Sequence, residues 1–199
     1  MGAEEYRRTE GLAAKRDGSH RSWRAALRWS VAPAAICAAT ASPAAAQDAC
    51  VEPNPGEFVC EDNGAGATTT QDIDSAEVNT TVDIEDGFTV DTSGGAGDGM
   101  NVYAYGGVAV TQAGENGSII GADNGLAVTG GTYYAGDVSI EVSGDVVGQG
   151  ATGVYAYGGG LATALDVDTA GASVSGETYG VAAYNNGTGA LNIETADVS

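Results

Sequence analysis

The chain predicts an all-β fold, a right-handed parallel β-helix built from three-strand coils of about 27 residues. Three observations predict it. The hexapeptide VYAYGG occurs at 102–107 and 154–159, with weaker echoes LAVTGG at 126–131 and VAAYNN at 181–186, so the starts fall 24, 28 and 27 residues apart. A second set keeps step with it: VDIE (82–85), VAVT (108–111), VSIE (138–141), LDVD (165–168) and LNIE (191–194) begin 26, 30, 27 and 26 residues apart. In the third set Ile119 and Ile120, Val146 and Val147, and Val174 each precede a glycine-rich turn ending at Gly125, Gly153 and Gly180.

Each strand set has its own justification. The VDIE-type segments alternate apolar and polar residues with the period of two that a half-buried strand requires. The glycine-rich segments GADNG, GQGATG and GETYG supply the corners. Rungs of a parallel β-helix stack about 4.8 Å apart, so four to five coils span roughly 20 to 25 Å. Equivalent side chains then form columns. Val82, Val108, Val138, Leu165 and Leu191 are expected in one interior column, and Ile84, Val110, Ile140, Val167 and Ile193 in the next.

The chain consists of two chemically distinct parts. All 7 Lys and Arg residues precede residue 47, as do the single His, His20, and both Trp. Of the 27 acids, four (Glu4, Glu5, Glu10, Asp17) lie early, which leaves 23 acids and no Lys or Arg in residues 47–199. A body without a basic side chain cannot neutralise phosphates, the dominant source of nucleic-acid affinity. No nucleic acid is expected as a partner. High charge and abundant glycine also suit a disordered chain, but aliphatic residues recurring in register argue for a packed solenoid.

Residues 1–46 read as an extended signal peptide. Arg21, Arg24 and Arg28 precede an apolar stretch from Val31 to Ala41, and Ala44, Ala45 and Ala46 form a small-residue cleavage site before Gln47. The apolar stretch, broken by Pro33 and Pro43, falls well short of the roughly 20 residues that span a bilayer. Ile36 immediately before Cys37 is the wrong residue for a lipid-anchor site. The chain is therefore expected to be exported, with cleavage after Ala46.

Residues 47–81 read as an N-terminal cap. Cys50 and Cys60 bracket VEPNPGEFV, and in an exported protein two cysteines this close predict a disulfide. Closing so short a loop is worth about 2 to 3 kcal/mol in the chain-entropy picture. The cap is expected to cover the open edge of the first coil, since an uncovered strand edge invites aggregation. Residues 61–81 are weakly patterned and are expected to form an irregular first coil, with regular coils from Val82. Residues 82–199 are read as repeats that are truncated inside a coil.

Three motifs could carry chemistry. GQGATG (148–153) fits the GxGxxG dinucleotide fingerprint, but a strand pattern follows it, so no helix N-terminus is there to meet a pyrophosphate. GGAGDGMNV (94–102) approaches the calcium-binding nonapeptide with Asp98 one place early, and is read as a turn. Asp166 and Asp168, two apart on a strand, could mimic a glycosidase carboxylate pair. The body offers no His, Lys or Arg as partner base or oxyanion donor. No catalytic residue and no cofactor are assigned.

Two faces remain. Glu85, Glu141, Asp168 and Glu194 are expected in one acidic column with Thr111 interrupting; Glu141, Asp168 and Glu194 are candidates for loose calcium binding, since carboxylates suit that cation. Carboxylates about 5 Å apart repel by about 1 kcal/mol in water, while each buried Val, Ile or Leu contributes about 1.5 to 3 kcal/mol, so the coils form despite the charge. Tyr103 with Tyr105, and Tyr155 with Tyr157, point together, opposite Val102, Ala104 and their equivalents, with Tyr179 and Tyr184 at similar coil positions; whether this face is interior or exterior the pattern leaves open. They make an aromatic stripe that either stiffens the wall or meets glycans or another protein.

The leader ending in AAAQ, the base-free acidic body and coils of the form GxVxGxxxxGVYAYGGG followed by ALDVDT resemble passenger domains of bacterial autotransporters, the type V secretion systems. The resemblance covers residues 21–199. It implies a β-helix delivered to the cell surface by a C-terminal β-barrel in the outer membrane; these 199 residues carry no such translocator. The expected function is structural or adhesive, with host or neighbouring-cell surface glycans or proteins as partners. The alternative is the N-terminal part of a secreted carbohydrate-active β-helix enzyme whose active region lies beyond Ser199.

Overall fold

The computed structural model describes residues 49–199. The signal-peptide expectation for residues 1–46 lies outside them. The strands β1 (Ala49–Asn54) and β2 (Glu57–Glu61) form a hairpin, and five coils follow. The first runs through β3 (Gln71–Ser75), β4 (Asn79–Ile84) and β5 (Thr89–Asp91), and the second through β6 (Met100–Ala104), β7 (Gly107–Gln112) and β8 (Ser118–Gly121). The third comprises β9 (Leu126–Gly130), β10 (Gly136–Glu141) and β11 (Asp145–Gly148). In the fourth, β12 (Thr152–Gly158) leads into β13 (Ala162–Gly176), a long strand that serves two walls, and the fifth holds β14 (Tyr179–Asn185) and β15 (Leu191–Val198). Among the described residues there is no helix.

All coil-to-coil pairings are parallel. The strands β3, β6, β9, β12 and β14 form one five-stranded sheet, and the other two walls join through β13 into a ten-stranded sheet. The expected β-helix is the observed fold. Residues 71, 100, 126, 154 and 181 occupy one position of successive coils, steps of 29, 26, 28 and 27.

The interior columns are built as the alternation requires. Val108, Val138, Leu165 and Leu191 lie side by side, as do Val110, Ile140, Val167 and Ile193. Most are fully buried. Coil corners are held by a glycine column, Gly99, Gly125 and Gly153. A Cβ on Gly153 would lie 2.6 Å from the Gly180 carbonyl oxygen and 2.6 Å from Val174 Cγ1. No side chain fits there, which is why the corner motif keeps its glycine.

Register departs from the expectation in the first coil. Val82 pairs with Val110, Thr80 with Val108, and Ile84 with Gln112. Val82 therefore belongs to the second column, and Asp83 rather than Glu85 stands beside Thr111 in the acidic row. The two VYAYGG copies do not stack on each other in step either: Val154 aligns with Leu126, and Leu126 aligns with Met100, not Val102. A slip of two residues leaves every side chain on its own face, so alternation cannot detect it. Turn length decides instead: residues 76–78 join β3 to β4, residues 105–106 join β6 to β7, and residues 131–135 join β9 to β10.

The first coil is also more regular than its sequence suggests. Ile73 on β3 is buried and aligned with Val102, so coiling begins before Val82. The hairpin closes this end. Cys50 and Cys60 face each other across β1 and β2 and are disulfide-bonded, and β2 pairs in parallel with β4, setting Phe58 beside Val82 and Cys60 beside Ile84. Cys60 is fully buried, so the disulfide is part of the core as well as a staple. At the opposite end Leu191 and Ile193 are 44% and 48% exposed.

Candidate functional site: the outer walls

Two outward faces carry the residues singled out above. On the five-stranded sheet the inward positions are apolar, Val102, Ala104, Val154 and Ala156 all being fully buried. The intervening side chains therefore face out. Tyr103, Tyr105, Tyr155 and Tyr157 are half-buried on that outer face, together and opposite the apolar positions as the alternation placed them.

The tyrosines do not form one continuous stripe. Tyr103 and Tyr105 meet edge to face with centroids 5.9 Å apart, and Tyr105 packs on Tyr133 at 4.6 Å. A separate pair, Tyr155 and Tyr184, lies at 6.0 Å. Thr129 stands between Tyr103 and Tyr157 in the register, and Ala127 beside Tyr155. The gap comes from the third coil's strand, LAVTG, which carries no tyrosine, and the two-residue slip sets which tyrosines share a line with Thr129. The sequence reasoning did not single out Tyr133 and Tyr134. Both sit in the turn after β9, their backbone N–H groups donating to the Tyr105 carbonyl, and they are 62% and 45% exposed. A pair of aromatics one residue after Gly130 and Gly131, past Thr132, was the available signal.

The acidic face lies on β10, β13 and β15. Glu141, Asp168 and Glu194 are aligned on successive rungs, with Thr111 beyond Glu141. Ser139, Asp166 and Asn192 form a parallel row. Alignment does not make a metal centre: among the described residues no group of three or more His, Cys, Asp or Glu side chains converges to hold an ion. Asp166 accepts a hydrogen bond from the Asn192 amide, and the Asp168 carboxylate accepts from Ala170 N at 2.9 Å. These two acids are held by amides.

Elsewhere the same device recurs from one rung to the next. Asn116 donates to both carboxylate oxygens of Asp86, from its backbone at 3.1 Å and its side chain at 3.2 and 3.0 Å. These bonds hold the Asp86 carboxyl below its ordinary value, the Asn116 side chain contributing most. Ser93 does the same for Asp91 through its side chain and its backbone. Asp98 accepts from the backbone and side chain of Asn124 at 3.0 and 2.9 Å, so GGAGDG works as a rung-joining turn. GQGATG is likewise a corner, running from the end of β11 into β12.

Comparison with known proteins finds no matching family model, no matching curated protein and no matching solved structure.

Proposed function

We propose that the chain is an exported, autotransporter-like passenger that works as a structural or adhesive rod at the cell surface or outside the cell. The observation that carries this is the distribution of chemistry on the solenoid. Its interior is aliphatic and its outer walls carry tyrosines, carboxylates and amides. The whole of residues 47–199 holds no Lys, Arg or His. Proton transfer and oxyanion stabilisation call for a group of matched pKa or a positive charge in a cleft, whereas clusters of aromatic rings on an outer wall suit contact. Three further features support export: the arginine-led apolar leader, the buried Cys50–Cys60 disulfide, which suits an oxidising compartment, and a hairpin that closes the edge where the mature chain would begin.

Expression of the full chain in a Gram-negative host, followed by fractionation and N-terminal sequencing, tests this. The expected product begins at Gln47, lies outside the cytoplasm and has no free thiol at Cys50 or Cys60. A full-length cytoplasmic product with both thiols free would refute export. An in-frame β-barrel sequence downstream of Ser199 would identify the means of delivery.

A further inference from the structure

The outer face of the five-stranded sheet places aromatic rings and carboxylates side by side without any cation. Asp74 is the direct register neighbour of Tyr103, and Asp72 that of Asn101; both acids are exposed. Next to them the rings of Tyr103, Tyr105 and Tyr133 form one cluster. Two rungs on, Tyr155 has the small side chains of Ala127 and Ala182 as register neighbours, and its half-buried ring pairs with that of Tyr184 in a second cluster.

We infer that this face binds an amino-sugar polymer carrying free amines, a chain of glucosamine-type units. The inference rests on the proposed function, a rod that acts through its walls, and names the partner chemistry of the tyrosine face. Three arguments select the partner. First, ammonium groups are attracted both to tyrosine faces and to carboxylates, and 23 acids with no base in residues 47–199 repel every polyanion. Second, the two tyrosine clusters follow each other along the solenoid axis, the strands that carry Tyr103 and Tyr155 lying two rungs, about 10 Å, apart. That suits a ligand that presents flat, partly apolar rings in sequence along a line. Third, the backbone groups of this wall are spent on the neighbouring rungs. An extended basic peptide draws much of its affinity from main-chain bonds to a free sheet edge, and the face of an inner strand has none to offer.

Calorimetric titration of the purified full chain tests this. The probes are a glucosamine hexamer with all amines free, the fully N-acetylated hexamer and a lysine hexamer, each at low and at physiological salt. The expected result is binding of the glucosamine hexamer that survives physiological salt and is at least tenfold tighter than binding of the N-acetylated hexamer. Tyr133→Ala, in an exposed turn, should weaken glucosamine binding by roughly three- to thirtyfold, as expected from loss of one cation–aromatic contact, with melting temperature unchanged. Asp74→Asn should weaken it and flatten its salt dependence. Equal affinity for the acetylated hexamer, or no effect of Tyr133→Ala, would overturn the proposal. So would a lysine hexamer that binds as tightly and is equally sensitive to Tyr133→Ala, since a basic peptide would then be the better ligand. Failure here, with the processed chain found outside the cytoplasm, removes the amino-sugar ligand alone. Binding as expected by a chain retained in the cytoplasm removes the surface role alone.

Discussion

Ile140 and Ile193 occupy the same interior column, which makes them a controlled pair for asking what the stacking is worth. Ile140 lies between Val110 and Val167 and is 1% exposed, whereas Ile193 has a neighbour on one side and is 48% exposed. Truncating Ile140 to Ala removes buried methyl and methylene groups and leaves a void that the rungs above and below cannot close, which costs about 3 to 5 kcal/mol. The same change at Ile193 loses about half as much buried area and encloses no cavity, so its cost is about 1 kcal/mol. For a domain of this size a kcal/mol shifts the melting temperature by about 2 to 4 °C. Ile140→Ala should therefore melt roughly 6 to 20 °C lower, and Ile193→Ala only a few degrees lower. Thermal and urea unfolding followed by far-ultraviolet circular dichroism gives both values. Equal losses at the two positions would refute the claim that the columns hold the coils together.

Other outcomes follow from the same structure. Thr169 is fully buried and its Oγ1 has no hydrogen-bond partner, so Thr169→Val, similar in shape and equally suited to a strand, should stabilise by about 1 kcal/mol; a destabilised variant in urea unfolding would show that the hydroxyl is used. Reducing the Cys50–Cys60 disulfide, or replacing both cysteines by Ala, should cost about 2 to 3 kcal/mol, and unfolding midpoints that do not differ would count against the staple. Asp86 is held below its ordinary carboxyl value in the folded state by its hydrogen bonds from Asn116, so its contribution is present above the unfolded value and is lost as pH falls through the lower, folded value. Asn116→Ala should thus lower the melting temperature at pH 7, and the difference should close as the pH falls through the folded-state value of Asp86. Raising salt from low to physiological strength should raise the melting temperature, because screening weakens repulsion among exposed acids.

How much of this was legible in the sequence depends on which physical constraint set each feature. Alternation dictated which side of each strand faces in, because turning β10 over would put Val138 and Ile140 in water and Ser139 and Glu141 in the core. The columns from Val108 to Leu191, the acidic row through Glu141, Asp168 and Glu194, and the shared face of the tyrosine pairs were all readable for that reason. The glycine corners were readable because stacked backbones leave no room for a Cβ. Register was not readable where the first coil meets the second and where β6 meets β9, since sliding by two residues satisfies the same pattern. Identical hexapeptides at 102 and 154 invited an alignment that the turn after each strand overrules. The aromatic face was misjudged for a different reason: the strand between the two hexapeptides carries no tyrosine, so Thr129 stands between Tyr103 and Tyr157, while the ring that completes the first cluster, Tyr133, comes from a turn.

The absence of bases raises the question of what takes their place, and the rung-to-rung hydrogen bonds answer it. Asp72, Asp86, Asp98, Asp137 and Asp166 each accept from a residue one coil later, namely Asn101, Asn116, Asn124, Thr163 and Asn192. An amide or hydroxyl donor stabilises a carboxylate without bringing a desolvated cation, and at exposed sites an ion pair would add little. These bonds lie along the stacking direction, whereas repulsion between acids acts in every direction and is shared with solvent. Each clamp therefore favours the register in which its two rungs are correctly paired. Slipping by two residues would keep the aliphatic columns filled but separate Asp98 from Asn124 and Asp166 from Asn192. The hydrophobic pattern thus specifies that the coils stack, and the polar clamps, together with turn length, favour one register among those the pattern allows.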